Sequence, residues 1–353
     1  GVETKSVDGN NILEVYQTIQ DTAKSSRHSP RPVLIESFTF RMRGHEEASG
    51  TKYVPDDLMN DWALKDPISN FEKELLKSKV LSDDQRVVIT EEINKLIDHE
   101  LEIAYSNQLP KVDSSLELAD IYAVSEANSG TKHESPTVER RFVDAITYAL
   151  DQAMQKYPNL VLMGQDIAEY GGVFKVTEGF LKKYGNERVR NTPLCESAIL
   201  GMALGLSING FKSMVEMQFA DFVSCGFNQI VNNLAKSHYR WAQNADVVIR
   251  MPTGAGVGAG PYHSQSNEAW FFHTPGLKIL YPSNPEDAYG LLLSAFEDPN
   301  PVLFFEHKAL YRSISSDVPT EILTIPIGKA KTRRQGESLV VITYGLGVVW
   351  AEQ

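Results

Sequence analysis

The sequence predicts a doubly wound α/β architecture on parallel sheets, in two parts separated by a helical segment and a linker. β-rich runs and apolar stretches of helical period alternate along most of the chain, the pattern of a parallel sheet with helices on its faces. At 353 residues the chain exceeds the roughly 250 residues that one hydrophobic core usually supports, so more than one domain is expected. Between 106 and 136 the periodicity lapses into scattered Ser, Asn, Gly, Pro and Lys around an isolated apolar patch, Leu116 to Val124, which reads as an interdomain linker.

Ile12, Val15, Tyr16, Ile19 and Ala23 recur at helical spacing, and Pro32 then leads into the β-rich run Val33 to Phe38. A polar loop from Arg41 to about Pro55 follows, with Arg41, Arg43 and His45 directly after the strand, a position that often bears function. Ser82 and Gln85 form a capping-box pattern ahead of Val87, Val88, Ile89, Ile93, Leu96 and Ile97, which predicts a long amphipathic helix to about Tyr105. Beyond the linker a helix is expected over 138–156, a strand over 160–163 and a helix from near Ala198. Further strands are expected over 213–217, 247–250, 278–281 and 302–305, with helical stretches at 223–237 and 285–296. A last strand, 339–344, precedes Gly345 and Gly347 and reads as the start of a third domain. No segment repeats with a period of about 20 to 50 residues, which argues against a solenoid.

The balance of 34 basic against 46 acidic residues, net −12, argues against a nucleic-acid binder that neutralises phosphates with a basic face. No apolar run approaches the ~20 residues that span a bilayer, so no membrane association is expected. Cys195 and Cys225 stand alone, which suits neither a disulfide framework nor a paired-cysteine metal site and fits a reducing cytoplasm. Gly1 to Asn10 lacks the order of a signal peptide, and without an initiator Met the chain is expected to begin in mid-protein.

Glu196 precedes the apolar, small-residue run Ala198 to Gly205, expected to be a helix packed on most faces. In isolation a carboxylate there reads as a charge stabilised by first-turn amides. Against that, capping usually falls to Ser, Thr, Asp or Asn, and a buried Glu costs several kcal/mol unless it is given a partner, which a ligand can be. His263 follows a segment with glycines at 254, 256, 258 and 260, a close-approach loop that matches neither the P-loop nor the dinucleotide fingerprint; presentation at a pocket and a surface histidine are equally good readings. His45 alone reads as an exposed histidine in a solvated turn, and Asp8 to Asn11 as a turn and helix cap. A serine hydrolase is disfavoured because no G-x-S-x-G elbow occurs, and CxxC, HExxH and EF-hand spacings are absent.

Several motifs in order carry a specific resemblance. Gly164-Gln165-Asp166-Ile167, Gly171 to Phe174, Thr192 to Glu196, Gln218 to Phe222 and Tyr262 to Ser266 resemble the β subunit of 2-oxo acid dehydrogenases over about 138–312. Val7 to Asn10, Arg41 to His45 and Lys65 to Ile68 resemble the carboxy-terminal third of the α subunit over about 5–105. The chain thus resembles an α–β fusion of the thiamine-diphosphate-binding fold. Its expected parts are an α-like diphosphate-type portion (1–105), a linker (106–136), a β-like pyrimidine-binding domain (137–325) and the start of a transketolase-C-like domain (326–353).

The resemblance implies thiamine diphosphate bound between α-type and β-type domains, with Glu196 hydrogen-bonding the aminopyrimidine, Phe222 packing on that ring and Gln218 nearby. His263 and His45 match the family's active-site histidines, and Arg41 belongs to the same loop as His45. Asp298 and Asn300, beside the backbone of Val247, match a structural potassium site. The GDG-to-Asn signature for magnesium and diphosphate does not occur, so magnesium ligands are expected in an α portion outside this sequence.

The implied activity is oxidative decarboxylation of a 2-oxo acid with acyl transfer to the lipoyl domain of a dihydrolipoyl acyltransferase, by a homodimer of the fused chain. Tyr262 to Ser266 and Phe304-Phe305-Glu306 look closer to the branched-chain type, which favours 3-methyl-2-oxobutanoate over the pyruvate or acetoin of sister enzymes. A non-catalytic subunit-pairing module is the reading from another class.

Overall fold

The structure is a computed structural model that describes residues 1–125 and 135–353. The chain divides into two compact units, Gly1–Lys111 and Val112–Gln353.

In the first unit, strand β1 (Glu3–Asp8) pairs in parallel with β2 (Val33–Phe38), and the helix Ile12–His28 connects them. Asn11 caps that helix by accepting the Glu14 amide at 3.4 Å, as the turn-and-cap reading of Asp8 to Asn11 expects. β1 was not foreseen: only Val7 of its six residues is buried, so it carries little apolar signal. The helices Asp56–Ala63 and Pro67–Lys77 were also unforeseen, although Asp66 caps the second by accepting the Ser69 amide at 2.7 Å. The long helix runs from Asp83 to Ser106, and both arms of the Ser82/Gln85 capping box form.

The second unit is built on a six-stranded, wholly parallel sheet. After β3 (Thr137–Arg141) come β4 (Leu160–Gly164), β5 (Val189–Asn191), β6 (Lys212–Glu216), β7 (Val247–Thr253), β8 (Lys278–Leu280), β9 (Val302–His307) and β10 (Ser315–Pro319). The sheet order is β5-β4-β6-β7-β9-β8, while β3 and β10 form a separate antiparallel pair. Every residue of β4, β7 and β9 is buried, as near-continuous apolar runs in a sheet covered on both faces should be. Helices Phe142–Lys156 and Pro285–Glu297 contribute Ile146, Leu150, Leu292 and Phe296 to the core on one face. The helix Glu196–Ile208 and the segment 229–241 contribute Leu200, Ala203, Ile230 and Leu234 to the other, which makes the architecture doubly wound, as predicted.

Several sequence-based expectations change. Residues 138–141 are the end of β3, bonded to 315–318, and the helix begins at Phe142. The expected helix over 223–237 is a succession of 3-10 (Ala220–Gly226), π (Gln229–Leu234) and α (Ala235–Trp241) turns. The run 339–344 forms no strand, because no neighbouring strand offers it a ladder among the described residues; Leu339, Val340 and Ile342 stay exposed. The helix Glu196–Ile208 is not packed all round either, for Met202 on one face is 48% exposed.

Candidate functional site

The connection from β4 leads to β5 on one side and that from β6 leads to β7 on the other, so the chain changes direction between the neighbours β4 and β6. Open parallel sheets take ligands outside the carboxy ends of their strands at such a switch point. Gln165 follows β4 there, and Gln218 lies just past β6.

Glu196 is the first residue of its helix, two positions earlier than expected, and is 7% exposed. Cys195 before it provides no side-chain cap, so the carboxylate enters a buried helix N-terminus, where first-turn amides favour negative charge. Gln165 donates from Nε2 to Glu196 Oε1 at 3.2 Å. Gln218 Nε2 donates to the Gln165 carbonyl and to Asp166 Oδ2, each at 3.4 Å, which ties the ends of β4 and β6 together beside the carboxylate. The 3-10 segment Ala220–Gly226 packs directly on this helix: a Cβ on Gly226 would stand 2.3 Å from Leu200 Cδ1, so a larger residue there would have to push the Leu200 side chain aside.

The half-buried His263 meets Phe219 and Phe222 edge to face, with ring centroids 4.6 and 5.5 Å apart. Its loop leaves β7 at Gly254, whose φ of +81° and contact with His307 admit no side chain: a Cβ would fall 2.2 Å from His307 Nε2. The far end of the loop is fixed at Gln265, whose carbonyl accepts from the Gly254 amide and the Thr253 hydroxyl, both at 2.9 Å. Asp221, 6% exposed, completes the anchor with Oδ1, which accepts the Ser264 and Gln265 amides at 3.1 Å each. Close approach therefore holds at the root of the glycine-rich loop, at Gly254 and Gly256, whereas Gly258 and Gly260 face open space.

Beneath the site, Arg250 of β7 is fully buried between two carboxylates, bonding Glu306 through Nε and Nη2 at 2.6 and 2.7 Å and Glu216 through Nη1 at 2.6 Å. The Tyr311 hydroxyl donates to Glu306 at 2.7 Å. Burial opposes the Arg250 charge, but the Glu306 and Glu216 carboxylates override it and raise its pKa. For Glu216, burial outweighs Arg250 and raises the pKa. This network fastens the carboxy ends of β6, β7 and β9.

Lys308, the residue after β9, is 4% exposed, and its Nζ has no hydrogen-bond acceptor among the described residues. It stands over the Phe219 ring at 5.4 Å from the centroid. Burial pulls its pKa down to about 8, with only the Asp221 charge opposing.

Glu196, Gln218, Phe222 and His263 therefore gather at one end of one sheet. Arg41 and His45 lie in the first unit, both exposed in the segment after β2. The expected potassium ligands are arranged otherwise. Asp298 is ion-paired with Lys278, which already supplies the positive charge. Asn300 accepts from the Ala123 amide at 2.8 Å and donates to the Ala123 carbonyl at 2.9 Å. These groups serve the protein's own contacts and do not fit a bound potassium. Phe304 and Phe305, taken as pointers to a branched-chain substrate, are fully buried in β9. Among the described residues no group of three or more His, Cys, Asp or Glu is placed to hold a metal ion.

Sequence reasoning missed Gln165, Asp221 and Lys308 as individual site residues. The available signal was position: each is a polar residue at or just beyond the carboxy end of an apolar strand.

A transketolase pyrimidine-binding domain model matches residues 139–313, and a dehydrogenase E1 component model matches residues 1–113. The 2-oxoisovalerate dehydrogenase subunit beta of Bacillus subtilis is 47% identical over 216 residues, covering 60% of this chain and 65% of that protein. The pyruvate dehydrogenase E1 component subunit beta of Acholeplasma laidlawii is 45% identical over 205 residues, covering 58% and 63%. The chain spans just under two thirds of the length of these relatives. Residues 1–113 thus carry a dehydrogenase E1 component segment and residues 139–313 a transketolase pyrimidine-binding domain, in a chain similar to the beta subunits of 2-oxoisovalerate and pyruvate dehydrogenases.

Proposed function

We propose that the intact protein carries out oxidative decarboxylation of a 2-oxo acid, preferring 3-methyl-2-oxobutanoate and other branched-chain 2-oxo acids, and passes the acyl group to lipoamide on a dihydrolipoyl acyltransferase. The observation that carries the reading is Glu196, buried at a helix N-terminus at the switch point and bonded to Gln165, with Phe222 and His263 presented nearby.

These residues fit thiamine diphosphate, which when bound supplies the electron sink for the carbanion left by decarboxylation. Glu196 would hold a proton at a ring nitrogen of the aminopyrimidine, and its burial keeps water from competing for that proton. Phe222 would pack on the ring, and Gln218 would keep the ends of β4 and β6 in register beside it. His263 would stabilise charge at the substrate carbonyl and hand on protons, work suited to an imidazole; for His45 and Arg41, in the first unit, the family resemblance implies active-site roles, cofactor binding included. Magnesium belongs to this reading as the counter-ion of the diphosphate, with ligands outside the present sequence; potassium does not.

Relatives named for 2-oxoisovalerate and for pyruvate both support the reaction class. The branched-chain preference rests on the likeness of Tyr262 to Ser266. A homodimer is supported by the apolar face that Met202 leaves outside the core, and a cytoplasmic setting by the free Cys195 and Cys225.

Relative kcat/KM of the intact protein for 3-methyl-2-oxobutanoate, pyruvate and acetoin, read with an artificial electron acceptor, tests the substrate. Calorimetry with thiamine diphosphate and magnesium tests the site. Absence of binding would leave the subunit-pairing module as the better reading.

A further inference from the structure

We propose that Lys308 is a positioning residue for His263, acting through Asp221. The two groups come from different elements, Lys308 from the end of β9 and Asp221 from the 3-10 segment after β6. Each is more than nine-tenths buried and each has a polar atom without a hydrogen-bond partner, Nζ of Lys308 and Oδ2 of Asp221. A buried ammonium and a buried carboxylate oxygen left over in the same region are expensive separately and tolerable as charge partners.

Asp221 turns that charge into geometry. Its Oδ1 holds the amides of Ser264 and Gln265 at 3.1 Å, the two residues directly after His263. Phe219 supplies a second contact, since its ring lies under the Lys308 ammonium and meets the His263 imidazole 4.6 Å away, centroid to centroid. The titratable groups set against Lys308 are Asp221 from the 3-10 segment, His307 beside it on the strand, and His263 beyond the Phe219 ring. While Lys308 is charged, its attraction for the Asp221 carboxylate helps to fix the oxygen that holds the two amides. Once Lys308 loses its proton, that hold relaxes and the imidazole shifts. Lys308 needs no contact with substrate to do this.

The inference rests on His263 being a site residue, so its test reads the placement of the imidazole without turnover. In the intact protein carrying nitrogen-15-labelled histidine, the His263 ring resonances should show an inflection near pH 8, where Lys308 titrates. Lys308→Met and Asp221→Asn should each abolish that inflection and displace the resonances, the double variant should resemble either single one, and Lys308→Arg should restore the resonance positions. Alongside, Lys308→Met should lower kcat on the order of 10- to 100-fold with KM nearly unchanged. If Lys308→Met does not fold, the nearly isosteric Asp221→Asn decides alone. His263 resonances unmoved in either folded variant would overturn the proposal. A protein inactive in every form, with the resonances responding as described, would overturn the decarboxylase reading and leave this one standing.

Discussion

Gln165 Nε2 donates a hydrogen bond to Glu196 Oε1 at 3.2 Å, joining the end of one strand to the first residue of a helix 31 positions later. The bond gives a buried carboxylate one neutral donor and, among the described residues, no cation, which keeps the group available to a ligand.

Replacing Glu196 by Gln removes the charge while keeping the shape. Turnover of the intact protein should fall 100-fold or more, the usual scale for a lost proton-transfer group. Circular dichroism should be unchanged, because the amide retains a hydrogen-bonding carbonyl. Full activity in this variant would rule out the role assigned to Glu196.

Arg250 makes the opposite case, a charge held entirely by the protein. Arg250→Met leaves Glu216 and Glu306 buried together without a cation and should destabilise the fold by about 3–5 kcal/mol in urea denaturation. Adding Glu216→Gln and Glu306→Gln should recover part of the loss; no recovery would show that packing outweighs charge here.

Asn300 clamps the backbone of Ala123 from both sides. Asn300→Leu should orphan that amide and carbonyl at roughly 1–3 kcal/mol each and make residues 112–125 more accessible to protease. An unchanged cleavage pattern would mean that the segment is held elsewhere.

Stability should also depend on pH through Lys308. Its folded pKa of about 8 lies below its ordinary 10.5 because burial penalises the charge. Below pH 8 both states hold the proton. Between about 8 and 10.5 only the unfolded chain holds it, so the unfolding free energy rises with pH across that window and levels off above it. Subtracting the Lys308→Met curve from the wild-type curve should isolate this rise; a difference that stays flat from pH 8 to 10.5 would contradict the burial of the ammonium.

Five of the sheet's six strands were legible because each holds an apolar stretch, and a run such as Val302 to Phe305 between helical stretches has few other readings; β5, Val189-Arg190-Asn191, has only one apolar residue and was not. β1 and β3 were not, since Thr4-Lys5-Ser6 and Glu139-Arg140-Arg141 lack the apolar alternation that marks a strand; they exist because β2 and β10 supply hydrogen-bonding partners. The run 339–344 shows the converse, a strong β pattern with no partner. At the site, Glu196 and His263 stood out as unusual residues in informative company. Asp221 and Lys308 did not, because their importance lies in two unpartnered atoms that only the folded chain brings into one region. Nor could the sequence show that Lys278, twenty residues before Asp298, pairs with the carboxylate for which the resemblance implied potassium.

Gly254 is wedged against the His307 imidazole with no space for a methyl group, so this hinge has a single permitted residue, whereas Tyr262 at the crest of the same loop is 75% exposed and unconstrained. Variation within the loop is therefore graded: its roots are closed to change and its crest is open. A saturation library across 254–265 should return glycine at 254 in every folded clone while admitting many residues at 262, which makes the crest the place to retune substrate preference without rebuilding the scaffold.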